Sequence, residues 1–287
     1  MTSLAGAAVL AALLLAATAP AAAFKVTVKP ASVRQGDVAM IVVTGTPSVP
    51  AMDGSVAGRP LFFFPYADGY AALIGVDLES KPGKVPWHIG FVDGGAPHQA
   101  SGRIAVAPRR FPVQRLSLPK GMVDLSPANE SRAEMEAARL RALYDTITVE
   151  RLWRGRFTKP VASSVKAEGF GFRRVINGKP RAPHSGVDFA APAGTPVVAA
   201  NRGRVALVAE HFFGGRLVAL DHGEALYTLY MHLERIDVTE GALVEKGAII
   251  GAVGSTGRAT GPHLHWAAQL RSARIDPQAL LTLPVGD

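Results

Sequence analysis

Alternation of apolar and polar positions dominates the chain from residue 25 to about residue 118. Lys25-Val26-Thr27-Val28 alternates strictly, and short runs rich in apolar, β-branched or aromatic residues follow at 38–44, 61–64, 70–78, 85–92 and 103–107. Turn-forming clusters separate them: Gln35-Gly36-Asp37, Ala67-Asp68-Gly69, Lys81-Pro82-Gly83 and Asp93-Gly94-Gly95. Many short strands cut by turns predict an immunoglobulin-like β-sandwich over residues 24–118.

The pattern then changes period. Leu140, Leu143, Tyr144 and Ile147 fall at helical spacing, with Arg139, Arg141 and Asp145 between them. Ser131-x-x-Glu134 has the form of a capping box. A helix within a linker over 119–159 is expected. It is followed by Arg151, Arg154, Arg156 and Lys159, which read as a solvated basic turn, with wall binding as the functional alternative. From residue 160 the β pattern returns, with strands at 197–199, 203–208, 217–220, 226–232 and 249–253. Gly214-Gly215, Asp221-His222-Gly223 and Lys246-Gly247 are expected hairpin turns. The fold class is therefore mainly β: a sandwich, a connecting α-helix and a C-terminal antiparallel β domain over 160–287.

The first 23 residues carry no charged side chain and end in Ala21-Ala22-Ala23. They read as a secretory signal peptide, with an uncleaved membrane anchor as the rival, so an exported protein of the periplasm or cell envelope is expected. The chain has 287 residues, 48% of them hydrophobic, which argues against disorder. It has no cysteine. That excludes a disulfide scaffold, a thiolate zinc site, a thiol nucleophile and a lipid-modified cysteine anchor. The formal net charge of +8 suits a solvated basic surface or attraction to a polyanion such as the cell-wall matrix. No nucleic-acid-binding motif accompanies it.

Six of the eight histidines lie between His184 and His265. Without cysteine, a zinc site must use histidine and carboxylate. His184 and Asp188 would stand about 13 Å apart on an uninterrupted strand, so sharing a metal requires a bend, which Gly186 permits. His263 and His265, two apart at the start of a strand, point to one face with Cα atoms about 6.5–7 Å apart. Both could approach one ion, or one could bind it while the other faces a substrate. His232, in Leu229-Tyr-Met-His232-Leu, is a third candidate. Two histidines and one aspartate leave a fourth position open, as catalytic zinc requires.

These segments together resemble the lysostaphin-type zinc peptidases. The likeness runs through Glu168-Gly-Phe-Gly-Phe-Arg173, His184-Ser-Gly-Val-Asp188-Phe, Leu220-Asp-His-Gly, Tyr227-Thr-Leu-Tyr-Met-His232, Gly251-Ala-Val-Gly-Ser-Thr-Gly and Gly261-Pro-His263-Leu-His265, in the expected order over about 160–283. The resemblance implies an antiparallel β fold around a groove, one zinc ion, and a peptidoglycan cross-link or stem peptide as substrate. It assigns zinc to His184, Asp188 and His265, and proton transfer and oxyanion stabilisation to His232 and His263, without deciding which does which. The bond cut would be a D-Ala cross-link or a glycine bridge. His211 reads as an ordinary loop residue and His222 as structural. Two other readings compete. One is a non-catalytic domain of the same fold that activates another wall hydrolase. The other is a lipoyl-like carrier with Lys246 at its turn.

Overall fold

The computed structural model describes residues 24–46, 51–93, 95–162 and 165–285. The expected signal segment lies outside the described residues, as does Gly94 of the expected Asp93-Gly94-Gly95 turn. Among the described residues no helix is long and apolar enough to cross a membrane.

Residues 24–107 form two sheets. One orders its strands Lys25–Lys29, Val38–Thr44, Gly69–Gly75, Phe64–Tyr66; the other orders Ser32–Arg34, Ala96–Ala107, Gly83–Asp93, Met52–Val56, Arg59–Pro60. The strand Val38–Thr44 is apolar along nearly its whole length because both of its faces are buried. Ala39, Ile41 and Val43 meet Ile89, Phe91 and Ile104 of the second sheet. Val38, Met40 and Val42 point the other way, into a core that also holds Trp153, Leu270 and Ile275. Period-two alternation thus divides one strand between two cores. Polar ties follow the same seam. Arg274 forks onto Asp77, with Nη2 2.7 Å from Oδ1 and Nε 3.0 Å from Oδ2, and Arg109 Nη2 stands 3.0 Å from Asp276 Oδ2.

The strand Val113–Leu116 was not anticipated. It pairs in parallel with Arg173–Ile176, which in turn pairs with Lys179–Pro180. The segment between the two β regions is thereby fastened beside the C-terminal sheet.

The helix spans Pro127–Asp145 and is capped by Ser126, whose hydroxyl accepts from the Asn129 amide at 3.3 Å. The Ser131-Glu134 pair lies inside it, so the true start is one turn earlier, where Pro127 at the first helical position needs no amide partner. Leu140, Leu143 and Tyr144 pack on Leu217, Tyr227 and Leu229. Ile147 lies beyond the helix and is 45% exposed. In the basic stretch that follows, Arg151, Arg154 and Arg156 are exposed while Leu152, Trp153 and Phe157 are buried between them.

The C-terminal sheet has ten strands, with Gly186–Phe189, Leu264–Leu270, Leu226–Ile236, Gly215–Asp221 and Gly203–His211 adjacent in that order. Gly214-Gly215 and Asp221-His222-Gly223 connect paired strands as expected. Lys246-Gly247 does not. The strands beside it, Leu243–Val244 and Ile249–Val253, pair with other partners, so this turn is a crossover. The His211 expectation also fails: the residue ends a strand and is buried.

Candidate metal centre

Asp188 and His265 sit opposite one another on the paired strands Gly186–Phe189 and Leu264–Leu270, and Met231 stands across from His265 on its other side. His184 precedes the first of these strands, so the extended 13 Å separation never arises. Gly186 contributes clearance and not a bend. A Cβ there would lie 2.5 Å from the Trp266 carbonyl oxygen and 2.7 Å from His265 Nε2. Gly169, at φ +99°, does the same for His184, whose Nδ1 a Cβ would meet at 2.7 Å.

Three donor atoms converge among the described residues. His184 Nε2 stands 3.1 Å from Asp188 Oδ1, His265 Nδ1 stands 2.9 Å from the same oxygen, and the two ring nitrogens are 2.9 Å apart. His184 donates its Nδ1 proton to the Gly169 carbonyl at 2.9 Å. Its Nε2 is therefore a lone pair aimed at a carboxylate. Such an encounter is unfavourable unless a cation lies between, and the secondary bond to Gly169 is the arrangement that orients a histidine ligand. Ligands about 2.0–2.1 Å from a tetrahedral zinc are separated by about 3.3 Å, close to the spacings found here. The donor set fits a divalent metal of this kind.

Electrostatics agree. Burial opposes the charge on Asp188, but the close approach of the His184 and His265 imidazoles holds it well below the usual carboxylate range. Burial pushes His184 down to about 4 despite the neighbouring carboxylate. Both groups are in the protonation state a metal requires at neutral pH.

His232 and His263 flank this cluster. Their rings lie 4.6 Å apart, and His232 is 6.1 Å from His265. Each donates Nδ1 to a backbone carbonyl, His232 to Thr256 and His263 to Gly261, both at 2.8 Å. In a neutral ring so held, Nε2 carries the lone pair. His263 Nε2 is 3.9 Å from Asp188 Oδ1. His232 is 8% exposed, and burial, then the like charges of His265 and His263, push it down to about 3. It has φ +64° in the middle of a strand, at a register shift against Gly215–Asp221. This bulge re-aims the imidazole, at a backbone cost that a non-glycine residue tolerates only where surrounding structure enforces it.

The five residues singled out from the sequence are thus brought into one groove. His222 lies elsewhere, buried between the Arg202 carbonyl and Thr228 Oγ1. His88 lies in the second N-terminal sheet, and so does His98, stacked on Phe91. No sequence pattern singles out three arginines that line the same groove: Arg174, Arg181 and Arg258. They come from separate segments and carry no shared spacing.

A β groove with convergent histidine and aspartate donors beside two further imidazoles defines a candidate metallopeptidase. The profile of peptidase family M23 matches residues 182–277, a span that includes all five residues. The chain belongs to this family. It is 42% identical over 94 residues to the peptidoglycan DD-endopeptidase ShyB of Vibrio cholerae, and 43% identical over 94 residues to the DD-carboxypeptidase/endopeptidase Mpg of Neisseria meningitidis. Each match covers 33% of this chain and 22% of the relative. A solved Pseudomonas aeruginosa structure assigned to peptidase M23 superposes with a TM-score of 0.65 at 30% identity, covering 86% of this chain and 94% of that one. That likeness extends well beyond the region matched by the family profile.

Proposed function

We propose that this protein is an exported zinc metalloendopeptidase that hydrolyses peptide bonds in bacterial peptidoglycan. The observation that carries the reading is the meeting of His184 Nε2, Asp188 Oδ1 and His265 Nδ1 beside His232 and His263. His184, Asp188 and His265 would hold one zinc ion. Zinc, when bound, supplies Lewis acidity toward a carbonyl and toward water.

The remaining chemistry belongs to the chain. His232 and His263 are neutral when Nδ1 alone is protonated, and each offers Nε2 to the groove. One takes a proton from the attacking water and delivers one to the leaving amine. The other, protonated, stabilises negative charge on the former carbonyl oxygen. The backbone bonds to Thr256 and Gly261 hold both rings through Nδ1, so each Nε2 can gain or lose a proton without reorientation. Similarity to peptidoglycan DD-endopeptidases supports peptidoglycan as substrate and a D,D bond as the one cut. The complete donor set favours a catalyst over a non-catalytic activator of the same fold.

The deciding experiment is digestion of purified peptidoglycan followed by mass spectrometry of the released muropeptides. Cross-linked species are expected to disappear with zinc present and to persist with a chelator. Unchanged muropeptides under zinc-replete conditions would refute the reading.

A further inference from the structure

The groove lining holds four cationic side chains, Lys166, Arg174, Arg181 and Arg258, against three carboxylates, Glu130, Glu168 and Asp188. Arg174 and Arg258 line it on both sides of the metal-site residues, and Arg181 lines the side that also holds His184 and Phe213. The guanidinium of Arg258 makes no hydrogen bond or ion pair among the described residues; it lies 4.0 Å from the face of the Phe213 ring. Arg181 donates to one carbonyl, that of Val123, at 3.1 Å. Arg174 has Nη2 3.6 Å from Asp188 Oδ2, while its Nε is buried with no partner. Asp188 is already engaged by two imidazoles. Glu130 and Glu168 also line the groove but are exposed to solvent. Burial, and behind it the like charges of Arg174 and Arg181, push Arg258 down to about 10. Three cations held within reach of one another, with spare donors, cost free energy that an anion would recover.

We propose that Arg174, Arg181 and Arg258 form a subsite for a substrate carboxylate beside the scissile bond. The proposal rests on the peptidase reading and narrows its substrate. Planar guanidinium groups match a carboxylate in bidentate fashion and bind it with charge-assisted hydrogen bonds. A stem peptide offers such carboxylates at a free C-terminus and on its side chains. A glycine bridge has none along its length and gains nothing from this subsite. The groove is therefore selective for anionic stem peptides.

The test is calorimetric binding of a synthetic stem tetrapeptide in three forms: all carboxylates free, C-terminus amidated, and side chains amidated. Each is titrated into the full chain with zinc and again with chelator, to separate the arginines from the metal. At least one amidation is expected to weaken binding about 10-fold, in both conditions, and the form affected identifies the carboxylate bound. In Arg258→Gln the free-carboxylate form is expected to lose a similar factor, so that discrimination between forms collapses, and Arg258→Lys is expected to recover part of it. Arg181→Gln alters an exposed side chain and provides a second variant should Arg258→Gln misfold. Equal affinity for all three forms would overturn the proposal, as would discrimination that persists undiminished in the variants. Muropeptide release is scored separately. Discrimination without cleavage would leave the subsite standing and sink the peptidase reading, and cleavage without discrimination would do the reverse.

Discussion

The imidazoles of His232 and His263 face one another at 4.6 Å, each with its Nδ1 tied to a backbone carbonyl. Neither needs the metal to hold its orientation. His263→Ala is therefore expected to retain zinc while losing about 10²–10⁴-fold in peptidase rate. His184→Ala is expected to lose both. Metal content by mass spectrometry alongside turnover checks the pair, and a zinc-free His263→Ala protein would show that the ligands are misassigned.

Gly186 gives a sharper geometric test. Alanine there places a methyl group against His265 Nε2 and the Trp266 carbonyl. Zinc affinity is expected to fall by roughly 10–100-fold, as when the support of a ligating histidine is disturbed. Competition with a chromogenic chelator measures it. Unchanged affinity would mean that the packing around His265 yields freely.

His222 and Glu224 lie in one buried turn and depend on pH in opposite senses. Burial pushes His222 down to about 4 from its ordinary 6.5, against its bond to the Arg202 carbonyl. The unfolded ring takes up its proton first as pH falls, so this contribution to stability is lost between about 6.5 and about 4. Burial raises Glu224 from 4.5 to about 7, opposed by the Arg151 charge and the Trp153 indole. The unfolded carboxyl releases its proton first as pH rises, so stability is lost between about 4.5 and about 7. Glu224→Gln can keep the indole hydrogen bond and removes the ionisation. Urea unfolding is expected to show a gain on the order of 2–3 kcal/mol at pH 8 and little at pH 4. A gain of the same size at both values would contradict the assignment.

Met40 faces the core that also contains Trp153 and Leu270, although it belongs to the N-terminal sheet. Met40→Ala is expected to cost about 2–5 kcal/mol. Heat or urea should then unfold both regions together at a lower midpoint, with tryptophan fluorescence and the loss of zinc coinciding. Two separated transitions would show that the shared core does not couple them.

His263 and His265 were legible because residues two apart at the start of a strand share a face. The choice of His184, Asp188 and His265 as ligands came from the family resemblance, and His184 meets Asp188 from outside the strand Gly186–Phe189 without the bend expected at Gly186. His232 was visible as a candidate, but the bulge that aims it depends on how Leu226–Ile236 meets Gly215–Asp221, which no local pattern encodes. The pairing of Val113–Leu116 with Arg173–Ile176 joins distant segments and left no periodic trace. The helix was found through Leu140, Leu143 and Tyr144, but its start was misplaced because Ser126 and Ser131 both look like caps. The arginine cluster escaped because its members are brought together only by tertiary structure.

The double-sided strand Val38–Thr44 also limits how the protein can be cut. Removing residues 24–118 to isolate the half that holds His184, Asp188 and His265 would strip Met40, Val42 and Leu73 from their partners and uncover apolar surface around Leu270 and Ile275. Patches of that kind drive self-association. A fragment cut in this way is expected to self-associate, whatever the integrity of its metal-site cluster.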